Sequence, residues 1–355
     1  MEAARSISTR IDRRSFLKMG GALGGSLVGL SLLGCQPAAP APPTAKKEAV
    51  TAKSGGTALY NEVGWLPFFV GEKKGYFAEV GIKHDFIEFK GGAESSRALE
   101  VGETHYNVLA ISPTVNAYVK GAPFRIIAST RQAAGSILYV VPPASPIKSL
   151  KDIRGKSVSF SSPGALTDFF ARASVKAGGY APADVKLVPV GAGADSWIGA
   201  RSGIIDVAWV PEGLGRTLEF KGEARVVWSS LDVVKDWQDL VVTTNENVTR
   251  SQPEVLRGLC AGLQRAHDFI AANAREAAKI WVEYAPDVDP KVADNIIQAL
   301  PRSNWTAKLS PEGIKVAEEG MREMGLVKER VPWDKIIDQQ FLPENLRIDI
   351  SKLTA

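Results

Sequence analysis

The sequence predicts an α/β protein built as two similar lobes. A chain of 355 residues is long enough for two domains of ordinary size. Short apolar runs alternate with amphipathic segments, which is typical of βαβ units and predicts parallel strands. This alternation occurs once over residues 57–110 and again over 157–209. We therefore expect two separate α/β units.

The first unit is predicted from five segments in order: strand 57–61, helix 67–79, strand 82–89, helix 93–101 and strand 106–110. Pro67 suits the first turn of a helix because its φ is fixed and its missing N–H is not needed there. The second unit repeats this scheme in five further segments: strand 157–161, helix 164–177, strand 185–190, helix 194–201 and strand 205–209.

Two further apolar strands, 137–141 and 240–244, are the candidate crossings between the lobes. From Pro253 to Met324 the apolar residues follow helical spacing, and we expect this tail to pack on the first lobe. The predicted lobes are therefore residues 56–139 plus 244–355 for lobe 1, and 140–243 for lobe 2.

The N-terminus has the order of a secretory signal: a basic region, an apolar region and a processing site. Arg13 and Arg14 precede Ser-Phe-Leu-Lys, which resembles the twin-arginine export motif. The apolar stretch that follows has about 16 residues, which is short for a span of ~30 Å of hydrocarbon. It ends in Leu-Leu-Gly-Cys35, which resembles the lipobox of bacterial lipoproteins. We predict a signal peptide over residues 1–34.

Acylation of Cys35 is predicted on the same motif, the alternative being an ordinary buried cysteine. A proline- and alanine-rich run follows, and this composition favours an extended chain without a core. Residues 35–55 are therefore predicted to tether a lipid anchor outside the cytoplasmic membrane, in the periplasm or at the cell surface. The other cysteine, Cys260, lies in an apolar helical run, so we expect a core residue and no disulfide.

Charge excludes one class of partner. The formal net charge is +4, but residues 1–34 contain five basic and two acidic side chains, which leaves about +1 for the remainder. Apolar residues make up 45% and charged residues 23%, as in soluble globular proteins. A nearly neutral protein without a Lys/Arg-rich run lacks the positively charged surface that binding to a nucleic-acid phosphate backbone requires. We expect no nucleic-acid partner.

Seven short motifs occur in a characteristic order between Trp65 and Ala278: residues 68–77, 91–94, 121–123, 149–156, 161–168, 188–193 and 206–212. In this order they resemble the nitrate/sulfonate/taurine and thiamine-precursor family of ABC-transporter solute-binding proteins. The resemblance implies a type II periplasmic-binding-protein fold with a ligand cleft between two lobes around a hinge. It also implies a small-molecule solute and a membrane permease with its ATPase as partners.

In open α/β sheets, ligands bind beyond the carboxyl ends of the strands. The candidate ligand-binding residues in those loops are Trp65, Leu66, Gly92, Ala93, Ser112, Arg131, Ser162, Gly164, Thr167, Trp209 and Glu212.

On the first lobe, Trp65 beside Leu66 offers a flat apolar wall with an indole donor, the alternative being a packing role. Gly92 and Ala93 stand at the start of one predicted helix, and Ser112 stands at the start of another. The free N–H groups of a helix N-terminus favour an anion. Arg131 is placed to clamp a carboxylate, sulfonate or phosphate, the alternative being a solvated surface arginine.

On the second lobe, Ser162 is predicted as an N-cap with proline following it, and Gly164 permits close approach near Thr167. A pure capping role is the alternative. Trp209 and Glu212 end a strand and enter a helix, where Glu212 serves either a ligand or the helix dipole.

Two aromatic residues and one acid in these loops favour a ring-bearing or amphipathic solute over a bare inorganic anion such as nitrate.

Catalysis is not expected from this sequence. His84, His105 and His267 follow no metal-ligand spacing and adjoin no nucleophile motif. The hypothesis is a monomeric ligand trap that closes about a hinge, without a cofactor or a metal. The alternatives are a lipid-anchored receptor for a membrane sensor and an enzyme on the same fold.

Overall fold

The computed structural model describes residues 49–57, 60–132 and 135–354. The predicted signal peptide with Arg13 and Arg14, the predicted acylation site Cys35 and most of the predicted tether lie outside the described residues. Within the described ranges, no helix is both long and apolar enough to cross a lipid bilayer.

Ten strands form three sheets in the described part of the chain. They are β1 (Val50–Thr57), β2 (Ile82–Phe89), β3 (Tyr106–Ala110), β4 (Phe124–Arg131), β5 (Ile137–Val141), β6 (Ser157–Phe160), β7 (Lys186–Pro189), β8 (Ala208–Pro211), β9 (Arg225–Ser229) and β10 (Leu240–Asn245). The largest sheet has the order β2-β1-β3-β10-β4, a second has the order β8-β5-β9, and β6 pairs with β7. An isolated bridge between Val158 and Val207 joins β6 to the segment before β8.

Strand direction confirms part of the prediction. β1 runs parallel to β2 and β3, and β6 runs parallel to β7, as βαβ units require. However, β10 is antiparallel to β3 and β4, and β5 is antiparallel to β8 and β9. The two segments predicted as crossings are themselves strands inside the sheets. The chain passes between the sheets in the links from β4 to β5 and from β9 to β10.

The first strand was predicted in the wrong place. It begins at Val50, inside the predicted tether, and ends at Thr57, where the prediction begins it. Its sequence resembles a linker because it contains Gly55 and Gly56, yet it lies between β2 and β3. The glycines are needed because aromatic rings cover them. A β carbon at Gly56 would lie 2.3 Å from Cζ2 of Trp65 and 2.6 Å from the carbonyl oxygen of Val108.

Replacing Gly56 by alanine is therefore expected to lower the free energy of unfolding by about 1–3 kcal/mol. Trp65 is fully buried and the other close atom is backbone, so neither neighbour yields easily. Gly55→Ala is the matched control, because its closest neighbour is the partly exposed ring of Phe89, which is able to rotate, and the nearest backbone oxygen, that of Ile87, would lie at 3.0 Å. Urea unfolding of both variants measures the difference. Equal losses would contradict the packing argument.

Fourteen α-helices surround the sheets in the described residues. They are α1 (Leu66–Lys73), α2 (Gly92–Glu100), α3 (Ile111–Val119), α4 (Leu166–Gly178), α5 (Gly193–Arg201), α6 (Glu212–Phe220), α7 (Ser230–Val233), α8 (Glu246–Ser251), α9 (Pro253–Ala272), α10 (Ala274–Tyr284), α11 (Pro290–Ala299), α12 (Pro311–Glu323), α13 (Trp333–Ile336) and α14 (Ser351–Thr354). Short 3-10 turns join several of them.

The first long helix of the predicted tail, α9, packs on the largest sheet, whereas the later helix α11 contacts α6. The apolar stripe of α9 is fully buried; its members are Leu256, Leu259, Leu263, Ala266 and Ile270. The helix contacts α1, β2 and β4, so α9 covers the largest sheet. Cys260 is a buried free thiol on the same helix, which confirms its assignment to the core.

Two element boundaries differ from the prediction for identifiable reasons. Helix α1 ends at Lys73 because Gly75, with φ of 75°, adopts the left-handed conformation that terminates helices. Strand β8 runs to Pro211, so Trp209 lies within the strand and not at its end. A proline is tolerated there because β8 is an edge strand of its sheet.

Candidate functional site

A small cavity lies where strand ends of the largest sheet meet those of the other two sheets. One side of its wall comes from Thr57, Gly92 and Ala110, and the other from Ala165, Trp209 and neighbouring residues. Its volume is ≈ 50 Å³. Pockets for drug-sized ligands measure roughly 300–1,000 Å³. The cleft is therefore nearly closed in this conformation and has room for only a few non-hydrogen atoms.

Four helices begin at this cavity without a side-chain cap. The N-cap residues of α2, α3, α4 and α6 are Gly91, Ala110, Ala165 and Pro211, and none of their side chains accepts a hydrogen bond from the helix. Elsewhere, α8, α11 and α12 are capped by asparagine, aspartate and serine side chains. The first N–H groups of a helix have no partner inside it, so an uncapped N-terminus favours an anion.

The four helices do not offer the same number of donors. In α6, Glu212 and Gly213 donate to the carbonyl oxygens of Ser136 and Asn61 at 3.0 and 3.1 Å, so this terminus docks on the protein itself. In α3, Ile111 donates to the carbonyl of Asp239, and the helix also contains Pro113, which has no N–H. The first turns of α2 and α4 therefore provide most of the donors for an anion.

Two side chains add unused hydrogen-bonding atoms. Trp209 lines the cavity and is 5% exposed, and its indole Nε1 has no partner among the described residues. The buried Oγ of Ser162, in the loop before α4, is likewise without a partner there. Buried polar groups are normally paired, so such atoms mark a place where a ligand donates or accepts.

The loops on the two sides of the cleft already touch. A β carbon at Gly91 would lie 3.0 Å from Oγ of Ser162, and one at Gly164 would lie 2.9 Å from Nδ2 of Asn116. Gly164 has φ of 78°, a left-handed conformation that favours glycine. Closure of the cleft therefore depends on glycine at both loops.

Not all predicted site residues come together here. Gly92, Thr167 and Trp209 line the cavity, and Ser162 and Gly164 lie in the loop beside it. The side chain of Ser112 is buried at the start of α3, and its Oγ has no partner among the described residues. The side chain of Thr167 is already engaged, because its Oγ1 accepts from the N–H of Ser161 at 2.8 Å.

Three other predicted residues lie away from the cavity wall. Trp65 and Leu66 are fully buried in the core, where Trp65 packs on Phe68 and Phe86 with ring centroids 5.3 and 5.9 Å apart. Ala93 is exposed on α2. The tryptophan has the packing role that was its alternative.

The N-cap prediction for Ser162 was wrong. Helix α4 begins at Leu166, and its N-cap is Ala165. The left-handed turn at Gly164 delays the helix by several residues, so the serine-proline pair lies in the preceding turn. Gly164 itself donates its N–H to Oδ2 of Asp168 at 2.9 Å.

Arg131 and Glu212 belong to a buried charge cluster behind the cavity. Nη2 of Arg131 donates to Oε2 of Glu212 at 3.0 Å, which ties the end of β4 to the start of α6. Nε of Arg131 lies 3.8 Å from Oδ2 of Asp239, to which Ser136 donates at 2.9 Å. Arg131 is 3% exposed, so it is not a solvated surface residue.

Sequence reasoning missed Glu62, the fourth charged member of this cluster. Glu62 lines the cavity and is 6% exposed. Burial, assisted by the charge of Asp239, raises the pKa of Glu62 to about 8. Burial raises the pKa of Asp239 to about 6, although Arg131 opposes the shift. Single acids in loops carry no spacing signal, so the sequence offered nothing that identifies this pair.

Known proteins resemble the chain in sequence pattern and in fold. A family model described as NMT1/THI5 like matches residues 63–277. A search of curated proteins gives no sequence match. The alkanesulfonate-binding protein SsuA from Xanthomonas axonopodis pv. citri, solved bound to MOPS, has a TM-score of 0.69 at 14% identity, over 82% of this chain and 99% of that chain.

Two other solved structures are similar to a comparable degree. The periplasmic nitrate-binding protein NrtA from Synechocystis PCC 6803 has a TM-score of 0.68 at 14% identity, over 86% of this chain and 91% of that one. The Candida albicans CA3427 gene product, described as having the generic periplasmic binding protein fold, has a TM-score of 0.69 at 11% identity, over 84% and 98%. These similarities confirm the predicted periplasmic-binding-protein fold.

Proposed function

Because the chain belongs to the NMT1/THI5-like family, we propose that it is an extracytoplasmic solute-binding protein of an ABC importer. It captures a small anionic solute in the cleft and delivers it to a membrane permease with its ATPase. The observation that carries this proposal is the cavity wall, where uncapped helix N-termini and the indole N–H of Trp209 converge. Binding and closure need no catalytic group, so we propose no catalytic activity for the protein.

Sequence motifs in the N-terminal region indicate how the protein is exported and anchored. The twin arginines Arg13 and Arg14 indicate export through the twin-arginine pathway, and Cys35 indicates a lipid anchor outside the cytoplasmic membrane. The proline-rich segment after Cys35 then acts as the tether, and it ends before β1 begins at Val50. The mature protein acts as a monomer on this anchor.

The proposed mechanism is hinge closure of two lobes. Lobe 1 contains the largest sheet with α9, and lobe 2 contains the strands β5–β9. The proposed boundaries fall in the links from β4 to β5 and from β9 to β10, because boundaries at 139/140 and 243/244 would cut strands β5 and β10. The ion pair between Arg131 and Glu212 joins the lobes beside one of these links.

The positions of the predicted site residues support a different ligand class from the one that the sequence favours. Trp65 is in the core and Glu212 is paired with Arg131, so two of the three side chains that favoured a ring-bearing solute are engaged elsewhere. Trp209 alone faces the cavity, which holds ≈ 50 Å³. A compact oxyanion, such as nitrate or a short alkanesulfonate, fits this cavity better than an aromatic or amphipathic molecule.

The three histidines lie in surroundings separate from the cavity wall. Nδ1 of His84 contacts Glu72 among packed aromatic rings, and His105 accepts a hydrogen bond from the N–H of Lys53 at 3.0 Å. Burial lowers the pKa of His267 to about 3, so this ring is neutral at physiological pH. None of the three lines the cavity.

A thermal-shift screen of the purified full-length protein tests the proposal. The panel is nitrate, bicarbonate, methanesulfonate, ethanesulfonate, benzenesulfonate and an aminopyrimidine. We expect a compact oxyanion to raise the melting temperature, since a ligand at 100 times its Kd stabilises by about 2.7 kcal/mol. The variant Trp209→Phe removes the indole N–H but keeps a ring, and should reduce the shift.

Three outcomes of this screen would count against the proposal or part of it. A response to benzenesulfonate or the aminopyrimidine alone would contradict the compact-anion ligand but keep the binding function. A shift that Trp209→Phe leaves unchanged would place the ligand elsewhere. If no compound binds, the receptor for a membrane sensor becomes the better hypothesis.

A further inference from the structure

Glu62 poses an electrostatic conflict inside the cleft. Its side chain lines the same ≈ 50 Å³ cavity as Gly92, Ala165 and Trp209. In a cavity of this size, an anion on the helix N-termini lies close to Glu62. An ionised carboxylate there would repel that anion in surroundings where charges are poorly screened. The cleft as built therefore favours an anion only when Glu62 is neutral.

The groups around Glu62 make its neutral form the favoured one. Three carboxyl groups, those of Glu62, Asp239 and Glu212, share a single guanidinium, that of Arg131. Glu212 receives the direct ion pair at 3.0 Å, and Asp239 receives a hydrogen bond from Ser136 at 2.9 Å. Burial and the charge of Asp239 raise the pKa of Glu62 and outweigh the charge of Arg131 and the Ser136 hydroxyl, which act to lower it. The single cation of Arg131 already faces the carboxylates of Glu212 and Asp239. Ionisation of Glu62 would therefore add a buried negative charge that no cation balances.

We propose that the cleft takes up its anion together with one proton, which is carried by Glu62. The inference rests on the proposed binding function and adds a specific role for one residue. The protonated carboxyl has an O–H that is able to donate to an oxygen of the anion, so Glu62 changes from a repelling group to a ligand. Binding and protonation then reinforce each other, because each lowers the cost of the other.

The pKa of Glu62, raised to about 8 mainly by burial, sets the pH range of this coupling. Below that pH the proton is already present, and affinity should not change with pH. Above it, each bound anion must bring in a proton, so affinity should fall about tenfold per pH unit. Glu62→Gln keeps a neutral donor at this position and should bind with no such fall.

Isothermal titration calorimetry with nitrate and with methanesulfonate, at pH 6.5 and at pH 9, tests the coupling. Two buffers of different ionisation enthalpy at pH 9 give the number of protons taken up, which we expect to approach one in the wild type and zero in Glu62→Gln. Glu103→Gln is the matched control, since Glu103 is an exposed acid outside the cavity wall and outside the helix termini that face it. It should keep the wild-type pH dependence.

A second measurement does not depend on any ligand. A carboxyl whose pKa rises on folding from 4.5 to about 8 gives stability that is complete below pH 4.5 and is lost as pH rises to about 8. The wild type should therefore lose stability relative to Glu62→Gln across this window in urea unfolding. If neither anion binds but this loss occurs, the proposed ligand class is wrong and the proton on Glu62 stands.

The proposal would be overturned if the free energy of unfolding changed with pH to the same extent in the wild type and in Glu62→Gln. Nitrate or methanesulfonate binding with equal affinity at pH 6.5 and 9 would overturn it too, as would a decline with pH that Glu62→Gln retains.

Discussion

Replacing Arg131 by methionine is expected to lower the free energy of unfolding by about 3–5 kcal/mol. Methionine fills much of the same space, so the loss comes from charge. Arg131 is 3% exposed, so its ion pairs are not surface pairs that solvent screens. Its positive charge stabilises the carboxyl groups of Glu212, Asp239 and Glu62. Without it, the buried carboxyl groups of Glu62 and Asp239 and the partly buried one of Glu212 lose the cation that they share.

The loss should depend on pH in a defined direction. Each carboxyl of the cluster is able to avoid its unpaired charge by keeping a proton, and Asp239 and Glu62 already have raised pKa values of about 6 and about 8. Keeping protons costs more free energy as pH rises, so Arg131→Met should be less stable at pH 8 than at pH 5 by a larger margin than the wild type. Urea unfolding at the two pH values measures this.

Arg250→Met is the control for a general effect of removing an arginine. Arg250 is paired with Glu246 at 3.4 Å on α8, with its side chain 69% exposed. Exposed pairs contribute little, so this variant should stay within about 0.5 kcal/mol of the wild type at both pH values. A loss below about 1 kcal/mol for Arg131→Met at pH 8 would show that the carboxyl groups do not rely on its charge.

Much of the fold follows from local sequence pattern. Strands β2, β3 and β5 have the predicted bounds because each is an apolar or alternating run with clear ends. The strand β1 was missed because its pattern depends on distant rings: Gly55 and Gly56 look flexible until Phe89 and Trp65 cover them. Strand direction was also out of reach, since β10 pairs with β3 and β4 more than 100 residues away.

The site divides in the same way. Helix starts after strands are local features, and Gly92 and Thr167 were found on that basis. Glu62 and Asp239 meet only because the link into β10 returns to the first sheet, and the two are 177 residues apart in sequence. Trp65 was predicted to line the cleft because it follows a predicted strand. It is buried instead, since Gly56 has no side chain and leaves room for the indole ring.

Replacing Ala165 by aspartate is expected to weaken anion binding by at least about 100-fold. Ala165 is the N-cap of α4 and lines the cavity, with φ −76° and ψ 167° that suit an N-cap side chain. An aspartate there would accept the N–H groups that we assign to the ligand and place its own negative charge in the cavity. Capping by aspartate adds about 1 kcal/mol relative to alanine.

Ala192→Asp separates this effect from capping in general. Ala192 is the uncapped N-cap of α5, with similar angles of −66° and 152°, but it is not in the cavity wall. This variant should gain that capping stability and bind nitrate or methanesulfonate as the wild type does. Calorimetric titration of both variants decides the matter. If Ala165→Asp binds the anion as tightly as Ala192→Asp, the N-terminus of α4 is not part of the binding site, because a carboxylate occupying it would have displaced the ligand.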